Sequence, residues 1–444
     1  MWTYGASLEP SEGAKLKPSY HPFVEGRFVE GTAGATTLNP ATDSPLAEVR
    51  SATPADVDRA ITAARRARDG EWGALSGAAR ARLLLRVAQV VAARASELAV
   101  LETLDTGRPI RLTRDADLPA VVARLFSSAG WADKLAYAGH GPAPRPAGVV
   151  GALAAGGSLL AAVGLVAPAL AAGNAVVLCP DPDAPLTALV LAEAAAEAGL
   201  PAGVLNVLPA AVTLGEHPGL DILAVTGSPG TCRDAARRAA LRVRVAAQPV
   251  GQVVHVVHDD APLDQAVDGV VEGLGTDQRI LVAEPVLDDF GALLRERVAA
   301  LRVGDPLDRN TDVGPVSSPQ RRDRAASLIA AADDDGGRRW TSPAVLPEQG
   351  CYLAPTIVTD VAPTARLARE EITGPLLPVL TFRTPAEAVG LARGAGVAAV
   401  WGEKGSRTLW TAQQLNADVV WVNAFGRSDG AVPPGADLAP YLWA

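Results

Sequence analysis

From Gly148 to Gln248 the sequence switches repeatedly between short apolar runs and longer Ala/Leu-rich segments. The short runs, "GVVGAL", "NAVVLCP", "GVLNVLP", "LDILAVTGS" and "RVRVAAQ", are rich in Val and Leu and too brief for helices. Between them lie "SLLAAVGLVAPALAAG", closed by Gly173, "PLTALVLAEAAAEAGL", closed by Gly199, and "GTCRDAARRAAL". Such strand–helix–strand alternation leaves few folds open, because consecutive parallel strands require a crossover that a helix supplies. The expectation is an α/β protein with a doubly wound parallel sheet, right-handed connections and ligands held beyond the strand C-termini.

The flanking segments read as follows. Residues 22–50, "PFVEGRFVEGTAGATTLNPATDSPLAEVR", alternate β-like runs with turn residues and predict a hairpin or meander. In "TPADVDRAITAARRARDGEW", Thr53 is an N-cap candidate, Pro54 suits the first helical position, and Val57, Ala60, Ile61 and Ala64 recur at helical spacing. A second helix follows, then a third that ends near Gly107-Arg108-Pro109, and residues 113–138 are helical again. After Gln248 comes a second α/β unit, carried by "VVHVV", "LDQAVDGVVEGL", "RILVAE", "VLDDFGALLRERVAAL", "YLAPTIVTDV", "LPVLTF", "PAEAVGLARG" and "VVWVNAF". No internal repeat is present, which excludes a solenoid.

Charge and cysteine usage remove several function classes. A net charge of -9 supplies no basic patch, which argues against nucleic acid and anionic membrane partners. Cys179, Cys232 and Cys351 are scattered and form neither a disulfide framework nor a metal or redox motif. The N-terminus "MWTYGASLEPSEG" lacks the basic start and apolar core of a signal peptide. The run "GVVGALAAGGSLLAAVGLVAPALAAGN" is long enough to suggest a membrane span, but its Gly and Pro content and the strand that follows favour a buried core. A cytoplasmic protein is expected. His255 and His258 in "HVVH" have poor spacing for a metal on a strand and no third ligand, so no metal site is expected.

In this order and over nearly the full length, "FVEGRFVEG", "LNPATDSPLAEV", "ADVDRAITAARRA", "LETLDTGRP", "APALAAGNAVVL", "PLTALVLAEAAAEAGLPAGVLNVLP", "VTGS", "VGDPLDRNTDVGPVSS", "REEITGPLLPVLTF" and "VVWVNAF" resemble the aldehyde dehydrogenase superfamily. The resemblance implies a Rossmann-like NAD-binding-type domain from residues 1–120 and 142–246 and a catalytic-type α/β domain from 247–425. Residues 121–141 and 426–444 would then be bridging or oligomerisation segments. The opening "TYGASLEPSEGAKLKPSYHPFVEGRFVE" is similar to the cysteine-less second module of two-module members of the superfamily.

The same resemblance implies a catalytic set that can be checked position by position. A thiolate attacks the aldehyde and releases hydride, an amide steadies the oxyanion, and a glutamate activates water. The nucleophile loop corresponds to residues 272–279, "EGLGTDQR", which holds no cysteine. Gln248 stands at the general-base glutamate, and an amide cannot take a proton from water. Gly156 or Gly157 stands at the oxyanion asparagine. The ribose-binding lysine and glutamate fall on Cys179 and Pro182, and the glycine of the following helix falls near Cys232. What persists on the cofactor side is the turn Thr226, Gly227 and Ser228, and Glu371, with Thr373 where the family has phenylalanine.

These substitutions lead to the expectation of a catalytically inactive protein with no cofactor, or NAD(P) if any, that serves as a structural or regulatory subunit beside an active aldehyde dehydrogenase. Two alternatives stand: a weakly active or repurposed NAD(P)-dependent aldehyde oxidoreductase, and a sensor that binds a nucleotide or aldehyde. Cys351 is expected to lie far from the nucleophile loop, and Cys179 and Cys232 to pack as small hydrophobes. Glu272 reads as a solvated helix end, and Asp277 is a poor oxygen nucleophile. The "GSPG" turn at 227–230 can take phosphate on bare N–H groups, although the tight turn alone accounts for its glycine. The terminal "YLWA" is apolar enough to dock on a partner.

Overall fold

The computed structural model describes residues 7–137, 144–211, 213–249, 252–426 and 438–443. Two compact units emerge, one of Met1–Asn39, Ser44–Pro249 and Asp429–Ala444, the other of Pro40–Asp43 and Val250–Ser428.

In the first unit, helices α1 (Pro54–Asp69), α2 (Gly77–Ala93), α3 (Ala95–Thr106) and α4 (Leu118–Trp131) precede an alternating series. The series runs β1 (Val149–Ala154), α5 (Leu159–Ala171), β2 (Ala175–Pro180), α6 (Leu186–Glu197), β3 (Leu205–Val207), β4 (Ile222–Gly227), α7 (Pro229–Arg238) and β5 (Arg244–Pro249). The sheet order is β5-β4-β1-β2-β3, all parallel, with the antiparallel hairpin Phe23–Val24 and Arg27–Phe28 added beyond β3. Strands β1, β2 and β4 are almost wholly buried, as expected where helices cover both faces of a parallel sheet.

Local signals explain much of this. The Thr53 hydroxyl accepts the Asp56 N–H at 3.1 Å while the Asp56 carboxylate accepts the Thr53 N–H at 2.9 Å, a reciprocal pair that starts α1. Gly107 ends α3 at φ 78°, a conformation other residues adopt at a cost. Helix α5 carries Pro168 in its interior yet is buried on nearly every side, because its small residues let it sit close to the sheet. Its apolar run is therefore core, and among the described residues no helix is long and apolar enough to cross a membrane.

The second unit repeats the principle with a different order. Its elements are β6 (Gln252–Val257), α8 (Leu263–Glu272), β7 (Gln278–Ala283), α9 (Leu287–Ala299), α10 (Pro319–Asp334), β8 (Arg338–Thr341), β9 (Thr356–Thr359), β10 (Leu376–Phe382), α11 (Pro385–Leu391), β11 (Ala395–Trp401), α12 (Gly405–Gln414) and β12 (Val419–Val422). The sheet order is β8-β9-β10-β7-β6-β11-β12, parallel except for β8 on β9. Helices α10 and α12 and strands β8 and β11 are not among the segments that the sequence reading names.

Three sequence expectations need correction here. Residues 113–117 form a π-helical turn, α4 stops at Trp131, and a short 3-10 turn covers Leu135–Tyr137, so 113–137 is not one helix; residue 138 lies outside the described residues. Residues 22–50 split between two sheets, since Thr32–Leu38 pairs antiparallel with Pro45–Ser51, which in turn pairs parallel with Ser19–Tyr20 in a separate three-stranded sheet. The described part of the C-terminal "YLWA" lies against its own unit: Leu442–Trp443 pairs antiparallel with Arg145–Pro146, and Tyr441 and Leu442 are buried, while Ala444 lies outside the described residues. An apolar end next to an unpaired strand finds its nearest cover within the chain.

Candidate functional site

The C-terminal edge of β1, β2 and β4 gathers one set of site residues in the first unit. Beyond β1, Gly156 and Gly157 adopt φ of 133° and 66°, and Ser158 then caps α5 by accepting the Ala161 N–H at 3.1 Å. A side chain at Gly156 would meet nothing within 4 Å, so the turn faces open space. Beyond β4, Gly227 lies at φ 145°, and a side chain there would come within 2.9 Å of the Ala155 Cβ. Ser228 caps α7 by accepting the Thr231 N–H at 3.1 Å. The two turns are tied by the Ala155 N–H donating to the Thr226 carbonyl at 3.0 Å. Gln248 lies on β5 directly opposite Thr226. Gly156, Gly157, Thr226, Gly227, Ser228 and Gln248 therefore share one edge.

Beyond β2 the chain places carboxylates where sequence reasoning noticed only the loss of a lysine and a glutamate. Asp181 accepts the Gly156 N–H at 2.8 Å through one oxygen and the Asp183 N–H at 3.0 Å through the other. From α3, the Glu102 carboxyl accepts the Leu159 N–H at 2.8 Å and the Thr187 hydroxyl at 2.7 Å, and Asp105 accepts the Leu186 N–H at 2.9 Å. Leu159 and Leu186 are the first residues of α5 and α6, so two buried acids finish the N-termini of the helices that leave this edge. Burial pushes Glu102 up to about 7 and Asp105 well above the usual carboxylate range. The signal for these residues was present in "LETLDTGRP": two acids three positions apart in the buried half of a helix.

The second unit brings together the remaining set. The 272–279 loop runs from the end of α8 into β7, and Gly275 bridges to Gly374. Asp277 accepts the Gln252 side-chain amide and the Ile372 N–H, both at 3.2 Å, which puts it beside Glu371. Burial raises the Asp277 pKa, with the Glu371 charge adding to the effect. Glu272 is an exposed helix end, as its position on α8 predicts. Thr373 donates to the Arg321 carbonyl at 3.4 Å. His258 shares a hydrogen bond with the Thr411 hydroxyl at 3.1 Å, while His255 stacks on Trp401 and holds one buried ring nitrogen without a partner. Burial holds His255 at about 3 and His258 at about 4, so both are neutral at ordinary pH. No cluster of three or more metal-binding side chains occurs among the described residues.

All three cysteines are free and buried. Cys179 is the next-to-last residue of β2 and Cys232 sits in α7, where its thiol points at the Val225 and Gly227 carbonyls. Cys351 lies in the loop ahead of β9, 3.7 Å from an Asp43 carboxylate oxygen. Burial pushes Cys179 and Cys351 up to about 11 and also raises Cys232.

Residues 28–435 match the sequence model of the aldehyde dehydrogenase family. The chain belongs to the aldehyde dehydrogenase family. It is 36% identical to a betaine aldehyde dehydrogenase of Sinorhizobium fredii over 95% of this chain and 92% of that protein. Among solved structures, an NAD-dependent aldehyde dehydrogenase from Sinorhizobium meliloti superposes with a TM-score of 0.90 at 30% identity, covering 98% of this chain and 95% of that one. An aldehyde dehydrogenase from Bacillus cereus, solved as its NAD+ complex, reaches a TM-score of 0.91 at 28% identity, covering 98% and 97%.

These likenesses correct the functional expectation drawn from the substitutions. An inactive subunit beside an active relative, with no cofactor, is not what they support: full-length relatives carry the names of aldehyde dehydrogenases, and one is solved with NAD+. The step from missing motif residues to missing activity rested on single positions, whereas the likeness to named dehydrogenases extends over more than nine tenths of both chains. Cysteines lie in both units, Cys232 in the first and Cys351 in the second.

Proposed function

We propose that the protein is an NAD(P)-dependent aldehyde oxidoreductase with a repurposed or slowed chemical step. The observation that carries this reading is the edge of the first unit, where an open glycine turn, a serine-capped helix start and fixed carboxylates meet beyond parallel strands. Dinucleotides are held at such edges. The residues fit the group: Gly156 and Gly157 leave room above the turn, and Gly230 in the first turn of α7 stands next to the Ser228 cap. Asp181, just beyond β2, fixes the turn by accepting the Gly156 and Asp183 N–H groups. Thr226, Gly227 and Ser228 would border the dinucleotide there. When bound, it supplies the hydride acceptor.

The slowed step follows from what the chain places at the reacting positions. Gln248 can orient a water but cannot take its proton. With thiols pushed up and buried, little thiolate is present at neutral pH.

The test is NADH or NADPH formation by the purified full chain across aliphatic, aromatic, amino and semialdehyde substrates. Turnover with one aldehyde class supports the reading, and silence with both dinucleotides across the panel removes it. A companion prediction concerns thiol reagents. At neutral pH, iodoacetamide should label the native cysteines at least about tenfold more slowly than a free thiol, with mass spectrometry as the readout. Rapid labelling of Cys232 or Cys351 with parallel loss of turnover would instead mark that thiol as the nucleophile.

A further inference from the structure

We propose that the Glu102 carboxyl, seated at the first amide of α5, links dinucleotide binding to the uptake of a proton. This rests on the dinucleotide reading above and adds a positioning residue behind that site.

Helix α5 begins at Leu159, directly after the turn Gly156, Gly157 and Ser158. The Leu159 N–H donates to the Glu102 carboxyl at 2.8 Å, and the Ala161 N–H donates to Ser158 at 3.1 Å. Glu102 thus takes the place of an anion at the positive end of the helix that leaves the turn. Any negative ligand over the turn shares that helix end with it. An ionised Glu102 cancels the pull of the helix on such a ligand and repels it. A protonated Glu102 leaves the pull intact.

The surroundings favour the proton. Glu102 and Asp105 lie one turn apart on α3 and are 2% and 1% exposed. Both accept only from uncharged donors, the Leu159 N–H and Thr187 hydroxyl for Glu102 and the Leu186 N–H for Asp105. One Asp105 oxygen is buried without a partner. Charges on the packed elements are engaged elsewhere: Arg108 with Asp117, Arg114 with Asp115, Lys15 and Arg94 with Glu97, and Lys17 and Arg94 with Glu193. Arg80 of α2 donates to the Ala171 and Ala132 carbonyls, and Arg124 of α4 bonds to neither acid. At longer range Asp117 opposes and Arg108 favours an ionised Glu102, while Glu102, Asp181 and Asp183 all oppose an ionised Asp105. Two like charges this close in a dry site do not both ionise, so the pair holds a proton at neutral pH.

A negative ligand makes ionising Glu102 harder still, so binding draws a proton from solution. Affinity is therefore highest below the pH at which the free protein loses that proton, about 7, and falls as pH rises through it.

Calorimetry of NAD+ on the full chain, run near neutral pH in two buffers of different ionisation enthalpy, counts the protons taken up. Uptake should reach about 0.3–0.5 proton per NAD+ bound, with affinity falling about three- to tenfold from pH 6 to pH 8. NADH, which lacks the positive charge of the oxidised ring, should take up at least as much. Glu102→Gln, checked for folding by circular dichroism and thermal melting, should bind without uptake and with an affinity flat over this range. Thr187→Val removes a hydrogen bond that favours the ionised carboxyl, so its affinity profile should move to higher pH. A purely structural role for Glu102 would not move that profile. Absence of uptake, a native affinity that is flat or rises with pH, the native dependence persisting in Glu102→Gln, or an unmoved profile in Thr187→Val would overturn the inference and leave the dinucleotide reading standing. Binding of neither dinucleotide at any pH would overturn both.

Discussion

Asn174→Ala is expected to lower the stability of the first unit by about 3–5 kcal/mol, among the largest effects of any single side chain. Asn174 is fully buried just ahead of β2. Its side-chain oxygen accepts the Gly148 N–H at 2.8 Å, and its amide donates to the Ala169 carbonyl at 3.0 Å and the Tyr441 carbonyl at 3.0 Å. One side chain therefore joins the entry to β1, the last turns of α5 and the C-terminal segment. Alanine removes all three bonds and strands the Gly148 N–H away from water, which costs more than the lost bond alone. Asn174→Asp should also destabilise, since it keeps the acceptor, loses the donor and adds a charge in a dry place. Urea unfolding followed by tryptophan fluorescence measures the loss, and limited proteolysis should show the C-terminal segment released first. A change below about 1 kcal/mol would mean that this junction does not hold the segment.

The second large effect depends on pH. Glu102 titrates near 7 in the folded protein against 4.5 for an ordinary glutamate, because burial outweighs its hydrogen bonds from Thr187 and Leu159. Between those two values the folded state keeps a proton that the unfolded chain has released. The stability from this group is therefore complete below about 4.5 and is lost as pH rises to about 7, after which it stays flat. Glu102→Gln has no proton to lose and can still offer an acceptor to Leu159 and a donor to the Thr187 hydroxyl. Relative to that variant, the native protein should lose on the order of 2–4 kcal/mol between pH 5 and 8, read from thermal or urea melts at each pH. Asp105 shifts in the same direction, so Asp105→Asn should give a second curve of the same sign. A native protein that gains stability over this range relative to Glu102→Gln would mean that Glu102 is charged and paired in the fold.

Much of the architecture was legible in the order of residues because its causes are local. The strand–helix alternation from Val149 onward, the cap at Thr53 and the helix end at Gly107 each depend on neighbours a few positions away. The turn residues Gly156, Gly157, Thr226, Gly227 and Ser228 were also found from sequence, since a turn leaving a buried strand carries its own glycine and serine marks. The function was misread for a related reason. Motif positions were compared one at a time, and a change at Gln248 or in the 272–279 loop was read as loss. The likeness to named dehydrogenases extends over more than nine tenths of both chains.

By itself the amino-acid sequence determined the fold family, the strand and helix series and the glycine-lined turns, because period, capping and turn chemistry act over one or two turns of chain. Only the tertiary structure decided that Glu102 and Asp105 finish two helices 57 and 81 residues away, that Asp181 occupies the Gly156 amide, and that the C-terminus folds back on Asn174, 267 residues earlier. Those pairings join groups that are distant in sequence and become neighbours only when packing excludes water. A buried amide or carboxylate then takes whichever partner the fold has brought within reach.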